Sequence, residues 1–213
     1  MGLTKYTVRY IVLVMQKEVN NKENILNVAL ELFSNQGYDA VGVQSLVEKA
    51  GITKPTLYHY YGSKDGVFKA MLSENYSKLN KLVGLNVKYK PNIKSYYEDV
   101  FPVLVRLVNA YFNFAKNNHQ FYRMVLSALF LPPTSTPYLI VREMNISQYE
   151  MITNMFLEIS EAHPNMKGKE KRLCWTFIGM INTYIGLSYS GMENLTKVTA
   201  KEAVRQFMHG IFN

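Results

Sequence analysis

Apolar residues recur every three or four positions along most of this 213-residue chain, and from residue 64 onward no segment alternates as a half-buried strand would. Asn20 and Glu23 make a capping-box-like helix start. Ile25, Val28, Ala29, Leu32 and Phe33 then form one amphipathic stripe, and Gly37 supplies the left-handed residue that ends a helix. Val43, Leu46, Val47 and Ala50 again fall at helical spacing, followed at once by Gly51-Ile52. Thr53 is placed to cap a third helix, with Pro55 in its first turn, where a missing N–H costs little. Further stripes cover 64–83, 93–117, 118–131, 136–162, 169–190 and 198–212. They are separated by Lys90-Pro91, the proline-rich run from Leu131 to Pro137, His163-Pro164 and Ser190-Gly191. The pattern predicts an all-α chain in two parts, a three-helix head over 20–68 and a larger helical domain over 69–213. An N-terminal extension at 1–19, whose order is left open, precedes them.

The second and third predicted helices make a helix-turn-helix corner, with small Ala50 where two helices cross and Gly51 turning the backbone. The polar face of the third helix singles this corner out. Thr53, Lys54, Pro55 and Thr56 suit guanine edges and thymine methyls, the groups that the first residues of a recognition helix meet in the major groove. Tyr58, His59 and Tyr60 can donate to phosphate oxygens, and Lys64 follows closely enough to add a phosphate contact. Spacing alone fits a plain helical corner equally well.

The ordered string from Leu46 to Phe68, LVEKAGITKPTLYHYYGSKDGVF, closely resembles the DNA-binding region of TetR-family transcriptional regulators. Ala29, Leu32-Phe33 and Gly37-Tyr38 extend the likeness, which runs from about residue 22 to 72. The resemblance implies roles by position. Gln44, Thr53, Lys54, Pro55, Thr56 and Tyr58 fall where the family contacts bases or adjoining phosphates, and His59, Tyr60 and Lys64 where it anchors the backbone. Two departures stand out. Gly42 and Val43 replace threonines often found at the start of the second helix, and Gln44 stands where a basic residue is common, which suits amide readout of adenine.

Charge refines this reading. The chain is +8 overall, but residues 15–75 hold 6 basic and 7 acidic side chains, while 76–213 hold 16 basic and 9 acidic. A head with so little positive charge is expected to bind DNA nonspecifically only weakly, with a modest salt dependence, so specific binding depends on two heads acting together. The surplus farther on, including Lys78, Lys81, Lys88, Lys90 and Lys94, reads as a solvated face.

Other classes find little support. No phosphate-binding glycine loop, dinucleotide fingerprint or H-E-x-x-H occurs, the four histidines are scattered, and Cys174 lies in the most apolar helical stretch. No enzyme activity, cofactor or metal is expected. The run Tyr10–Met15 behind Lys5 and Arg9 is short for a signal peptide and no cleavage site follows it, so a cytoplasmic location is expected, with no membrane partner.

The C-terminal domain is rich in aromatics and methionines, which read as core or as the wall of a largely apolar small-molecule pocket. The resemblance favours the pocket, and periodicity nominates Tyr111, Phe114, Met124, Met151, Met155, Trp175 and Tyr184. The segment 169–190 is apolar nearly all round and should be buried on two sides; with 198–212 it falls where the resemblance places a homodimer contact. The combined expectation is a homodimeric repressor that binds a palindromic double-stranded operator and is released by a small-molecule effector. The alternative is a ligand-binding or adaptor protein whose helix-turn-helix no longer reads DNA.

Overall fold

The computed structural model describes the backbone of residues 5–92 and 95–210, with side chains described except for 5–19 and 96. Lys94 and the last part of the 198–212 segment lie outside the described residues, as does the start of the 1–19 extension. Among the described residues there are nine α-helices, one short 3-10 turn and no strand. They are α1 (Lys5–Gln36), α2 (Val43–Ala50), α3 (Lys54–Tyr61), α4 (Lys64–Asn86), α5 (Tyr96–Asn117), α6 (His119–Ala128), α7 (Thr136–Ala162), α8 (Glu170–Tyr189) and α9 (Lys197–His209). The chain divides into two compact units, residues 1–74 and 75–213, and the division falls inside α4.

In the first unit the stripe of α1 is buried as its spacing predicts: Ile25, Val28, Ala29, Leu32 and Phe33 all face the core, joined by Val41, Leu46, Val47, Leu57, Val67 and Phe68. One difference is that α1 already runs from Lys5, well ahead of the capping-box-like Asn20. No glycine or proline stands between Leu3 and Gln36 to interrupt it, and a capping residue alone does not break a helix whose neighbours favour it. The corner between α2 and α3 forms through local chemistry. Gly51 takes φ 65° and ψ 34°, and the Ile52 N–H returns to the Val47 carbonyl at 3.0 Å. Thr53 caps α3 by accepting the Thr56 N–H at 3.4 Å.

Gly66, in the first turn of α4, closes the opposite corner. A Cβ there would lie 1.8 Å from the Tyr61 carbonyl oxygen, and backbone cannot yield as a flexible side chain does. Gly66→Ala is therefore expected to destabilise the head by about 1–3 kcal/mol, the cost typical of overpacking. A lowered thermal midpoint of the full-length variant checks this, and an unchanged midpoint would show that the corner relaxes freely.

In the second unit α7 packs along α8, α5 packs on α9 and α8, and α6 bridges α7 and α8. The core is aromatic and branched: Tyr76, Tyr111, Phe112, Phe121, Phe156, Phe177, Ile181 and Ile185 are all nearly inaccessible. The expectation that 169–190 is buried on two sides needs correction within one chain. Cys174, Phe177, Ile178, Ile181 and Ile185 are buried, whereas Trp175 is 58% exposed and Gly179, Thr183 and Leu187 share its open side. No helix among the described residues is long and apolar enough to cross a membrane.

Buried Asp99, at the start of α5, ties this unit together. Its carboxylate accepts the Tyr89 hydroxyl at 2.5 Å and the Asn92 N–H at 2.8 Å, and meets His163 Nε2 at 2.6 Å. The α4–α5 connector and the end of α7 are thereby fastened to one acid. Burial pushes the carboxyl's pKa up, but these hydrogen bonds outweigh it and hold the group below the ordinary carboxylate value.

Candidate DNA-reading face and effector cavity

The nine residues nominated for DNA contact all lie in the first unit, on α2, at the cap of α3, on α3 itself and at the first residue of α4. Leu57 pins α3 to the core at 0% exposure, which turns the other side of the helix outward. Lys54, Pro55, Tyr58 and His59 are exposed there, Thr56 and Tyr60 half-buried, and the capping Thr53 exposed at the helix start. This is the arrangement a recognition helix needs, with polar side chains of its N-terminal part turned outward and its apolar stripe committed.

Besides the Thr53–Thr56 hydroxyl pair at 2.9 Å, three nominated residues have partners elsewhere in the head. Gln44, exposed on α2, donates through Nε2 to Glu48 Oε1 at 2.5 Å, so reading a base requires exchanging that bond. Lys64 is half-buried: its Nζ donates to the Tyr38 carbonyl at 3.0 Å and lies 4.1 Å from that ring's centroid. Part of its hydrogen-bonding capacity therefore holds the α1–α2 connector. Tyr60 carries Lys22 Nζ 5.2 Å from its ring centroid. Lys22, on α1, was not singled out by the sequence, because 38 residues separate it from Tyr60 and no local spacing links the two.

The frame behind this face is aromatic and polar. Tyr38 stacks against Phe33, meets Phe68 edge-on, and donates its hydroxyl to Asp65. Tyr61 donates to the Lys22 carbonyl at 3.1 Å, tying the end of α3 to α1. Burial, followed by the charge of Glu74, raises its hydroxyl to about 12, so it stays a donor at neutral pH. Asn24 Nδ2 donates to the Ala50 carbonyl at 2.8 Å and satisfies the end of α2.

In the second unit a small inner cavity of about 20 Å³ lies among α4, α5, α6, α7 and α8, lined by aromatic, aliphatic and amide side chains. A larger outer groove of about 630 Å³ runs between α6 and α8, past Leu126, Leu129, Phe130, Gly179 and Gly186. Of the seven residues nominated for a pocket, Tyr111 lines the cavity. Phe114 and Met155 are buried in packing, while Met124, Met151 and Tyr184 are half-buried off its wall. Trp175 lies on the exposed side of α8. The structure does not gather the seven, because periodicity identifies apolar positions without saying which helices face one another. The amides Asn145, Gln148 and Asn182, which complete the cavity, were missed for the same reason. Among the described residues no group of three His, Cys, Asp or Glu side chains could hold a metal ion.

The described residues thus combine a helix-turn-helix head, whose third helix turns a polar side outward, with a second helical unit that holds an interior cavity. Residues 25–71 match the sequence model of the bacterial regulatory proteins of the tetR family. The HTH-type transcriptional regulator YdgC of Bacillus subtilis is 33% identical over 66 residues, 31% of this chain and 34% of that protein. The HTH-type transcriptional repressor AcnR of Corynebacterium efficiens is 30% identical over 70 residues, 33% of this chain and 37% of that protein. The chain thus spans about a third of the length of these curated relatives. The fold match is wider: the transcriptional regulator FadR of Bacillus subtilis, solved with stearoyl-CoA, aligns with a TM-score of 0.72 at 14% identity, over 89% of this chain and 98% of that one.

Proposed function

We propose that this chain is a homodimeric, one-component transcriptional repressor whose DNA affinity is set by a small, largely apolar effector. The observation that carries the reading is the outward face of α3, where Lys54, Pro55, Tyr58 and His59 stand clear of a helix pinned by buried Leu57. Repression is favoured by relatives such as AcnR, named as a repressor. Two heads would occupy successive major grooves of a palindromic site, with half-sites roughly 34–36 Å apart or a multiple of that. The effector would act by binding one arrangement of the two heads more tightly than the other, since only differential affinity shifts such an equilibrium. The groove between α6 and α8 and the cavity behind it support an effector in the second unit, and the similarly folded FadR was solved with stearoyl-CoA. Ser63 to Met71, leading out of α3, are the hinge positions.

The exposed side of α8 supports the dimer. Trp175, Gly179, Thr183 and Leu187 recur every four residues, an apolar stripe with a small residue for close approach, and a second copy would cover it. Trp175→Glu is expected to weaken self-association at least tenfold by placing a charge in that contact. Sedimentation should show twice the 24.6 kDa chain mass for the wild type and a shift toward one chain for the variant.

Selection of DNA from a random pool by the purified protein, at near-physiological salt, tests the reading. An enriched palindrome is the expected result. No enrichment, with or without added effector, would favour the ligand-binding or adaptor reading, which the near-neutral charge of residues 15–75 supports.

A further inference from the structure

The inner cavity has a narrower chemistry than its aromatic lining suggests. Tyr76 donates to Asn145 Oδ1 at 2.9 Å, Tyr111 to Gln148 Oε1 at 2.8 Å and Tyr122 to Asn182 Oδ1 at 2.8 Å. These bonds link α4 to α7, α5 to α7 and α6 to α8, and they commit the protons of three wall tyrosines. Burial keeps all three hydroxyls protonated. The residues lining the cavity include no Asp, Glu, Lys, Arg or His. One fully buried donor of the wall has no partner: Gln148 is 6% exposed, and its Nε2 makes no hydrogen bond. Reversing the amide would leave the Tyr111 proton without an acceptor, so the unpartnered group is an N–H.

A buried donor without an acceptor is unfavourable, and a wall without cations selects against a charged one. The cavity's 20 Å³ suits one oxygen atom, not a whole ligand. The outer groove offers the remaining room, and it shares Leu126, Leu129 and Asn182 with the cavity as a common wall.

We propose that Gln148 Nε2 receives the uncharged oxygen of an amide, ester or ketone ligand, whose apolar body passes Leu126, Leu129 and Asn182 into the groove between α6 and α8. The proposal rests on the effector reading above and narrows it to neutral carbonyl compounds. Arg123, the cation among the residues lining the groove, marks the rival arrangement in which an anion stays outside. A ligand body lodged between α6 and α8 also acts on the Tyr122–Asn182 bond, the cross-link between those helices.

Calorimetric titration of the full-length protein with matched sets tests this: octanoate, octanamide and methyl octanoate, then 4-phenylbutanoate and 4-phenylbutanamide. The neutral members are expected to bind at least tenfold more tightly than their carboxylates, and Gln148→Met to weaken them roughly tenfold, the loss of about one hydrogen bond to a buried donor. Leu129→Trp, which narrows the passage without touching Gln148, should also block them. This second variant keeps the test open if Gln148→Met folds poorly. Carboxylates binding as well as the amides, no binding by any member, or binding indifferent to both variants would overturn the proposal. DNA binding is read separately on the same samples. Amide binding without DNA release keeps the site and removes the effector role, whereas intact DNA binding with no amide binding removes the site and leaves the regulator reading standing.

Discussion

Asp99→Ala is expected to destabilise the C-terminal unit by about 3–5 kcal/mol, since each buried polar group left without its partner costs about 1–3 kcal/mol. The substitution removes the acceptor shared by Tyr89, the Asn92 N–H and His163, leaving three polar groups facing a hole. Urea unfolding of the full-length variant measures the loss. Tyr89→Phe, which removes one of the three bonds, should cost only about 1–1.5 kcal/mol. The pH dependence has a definite sign. The folded-state pKa of Asp99 lies below its unfolded value of about 3.9, so its contribution is complete above that value. It is lost as pH falls through the folded-state value. Asp99→Asn cannot titrate, so the stability gap between wild type and this variant should narrow from pH 6 down to pH 3. A gap independent of pH over that interval would mean that the carboxylate's charge is not what fastens the connector.

The contrast between this cluster and the head shows what the sequence makes legible. The stripe of α1, the Gly51 turn and the Thr53 cap each depend on residues close together in the chain, and each forms where spacing and residue chemistry place it. Asp99 and His163 are 64 residues apart, and Tyr38 and Asp65 27 apart; pairing them requires knowing which helices meet. The same limit applies to the cavity. Tyr111 reaches its wall and Trp175 does not, although both are large apolar residues on helical stripes. The apolar character of α8 is plain from its sequence, but whether its second side meets the same chain or another is a property of assembly. The helix-turn-helix corner was more legible than the cavity because it is a local motif of two short consecutive helices.

Lys54→Ala and Tyr58→Ala are each expected to reduce operator affinity on the order of a hundredfold while leaving the thermal midpoint within a degree or two of the wild type. The separation of binding from stability follows from burial. Tyr58 is 47% exposed and Lys54 exposed, so neither supports the core, and the cap of α3 belongs to Thr53. A side chain reading a base edge contributes about 1–3 kcal/mol of discrimination, and in a homodimer each substitution acts in both half-sites. Leu57→Ala is the opposite control: it should lose DNA binding through the head's stability, since it empties a fully buried position. The two roles open to Lys54 are separable by salt titration. If it meets phosphate, Lys54→Ala lowers the slope of log K against log salt by about one per half-site and weakens all sequences alike. If it reads guanine, the slope changes less and selection relaxes at one symmetric pair of positions. Wild-type affinity in both variants would place the DNA-reading face elsewhere on the head. The polar side of α3 would then be an ordinary solvated surface.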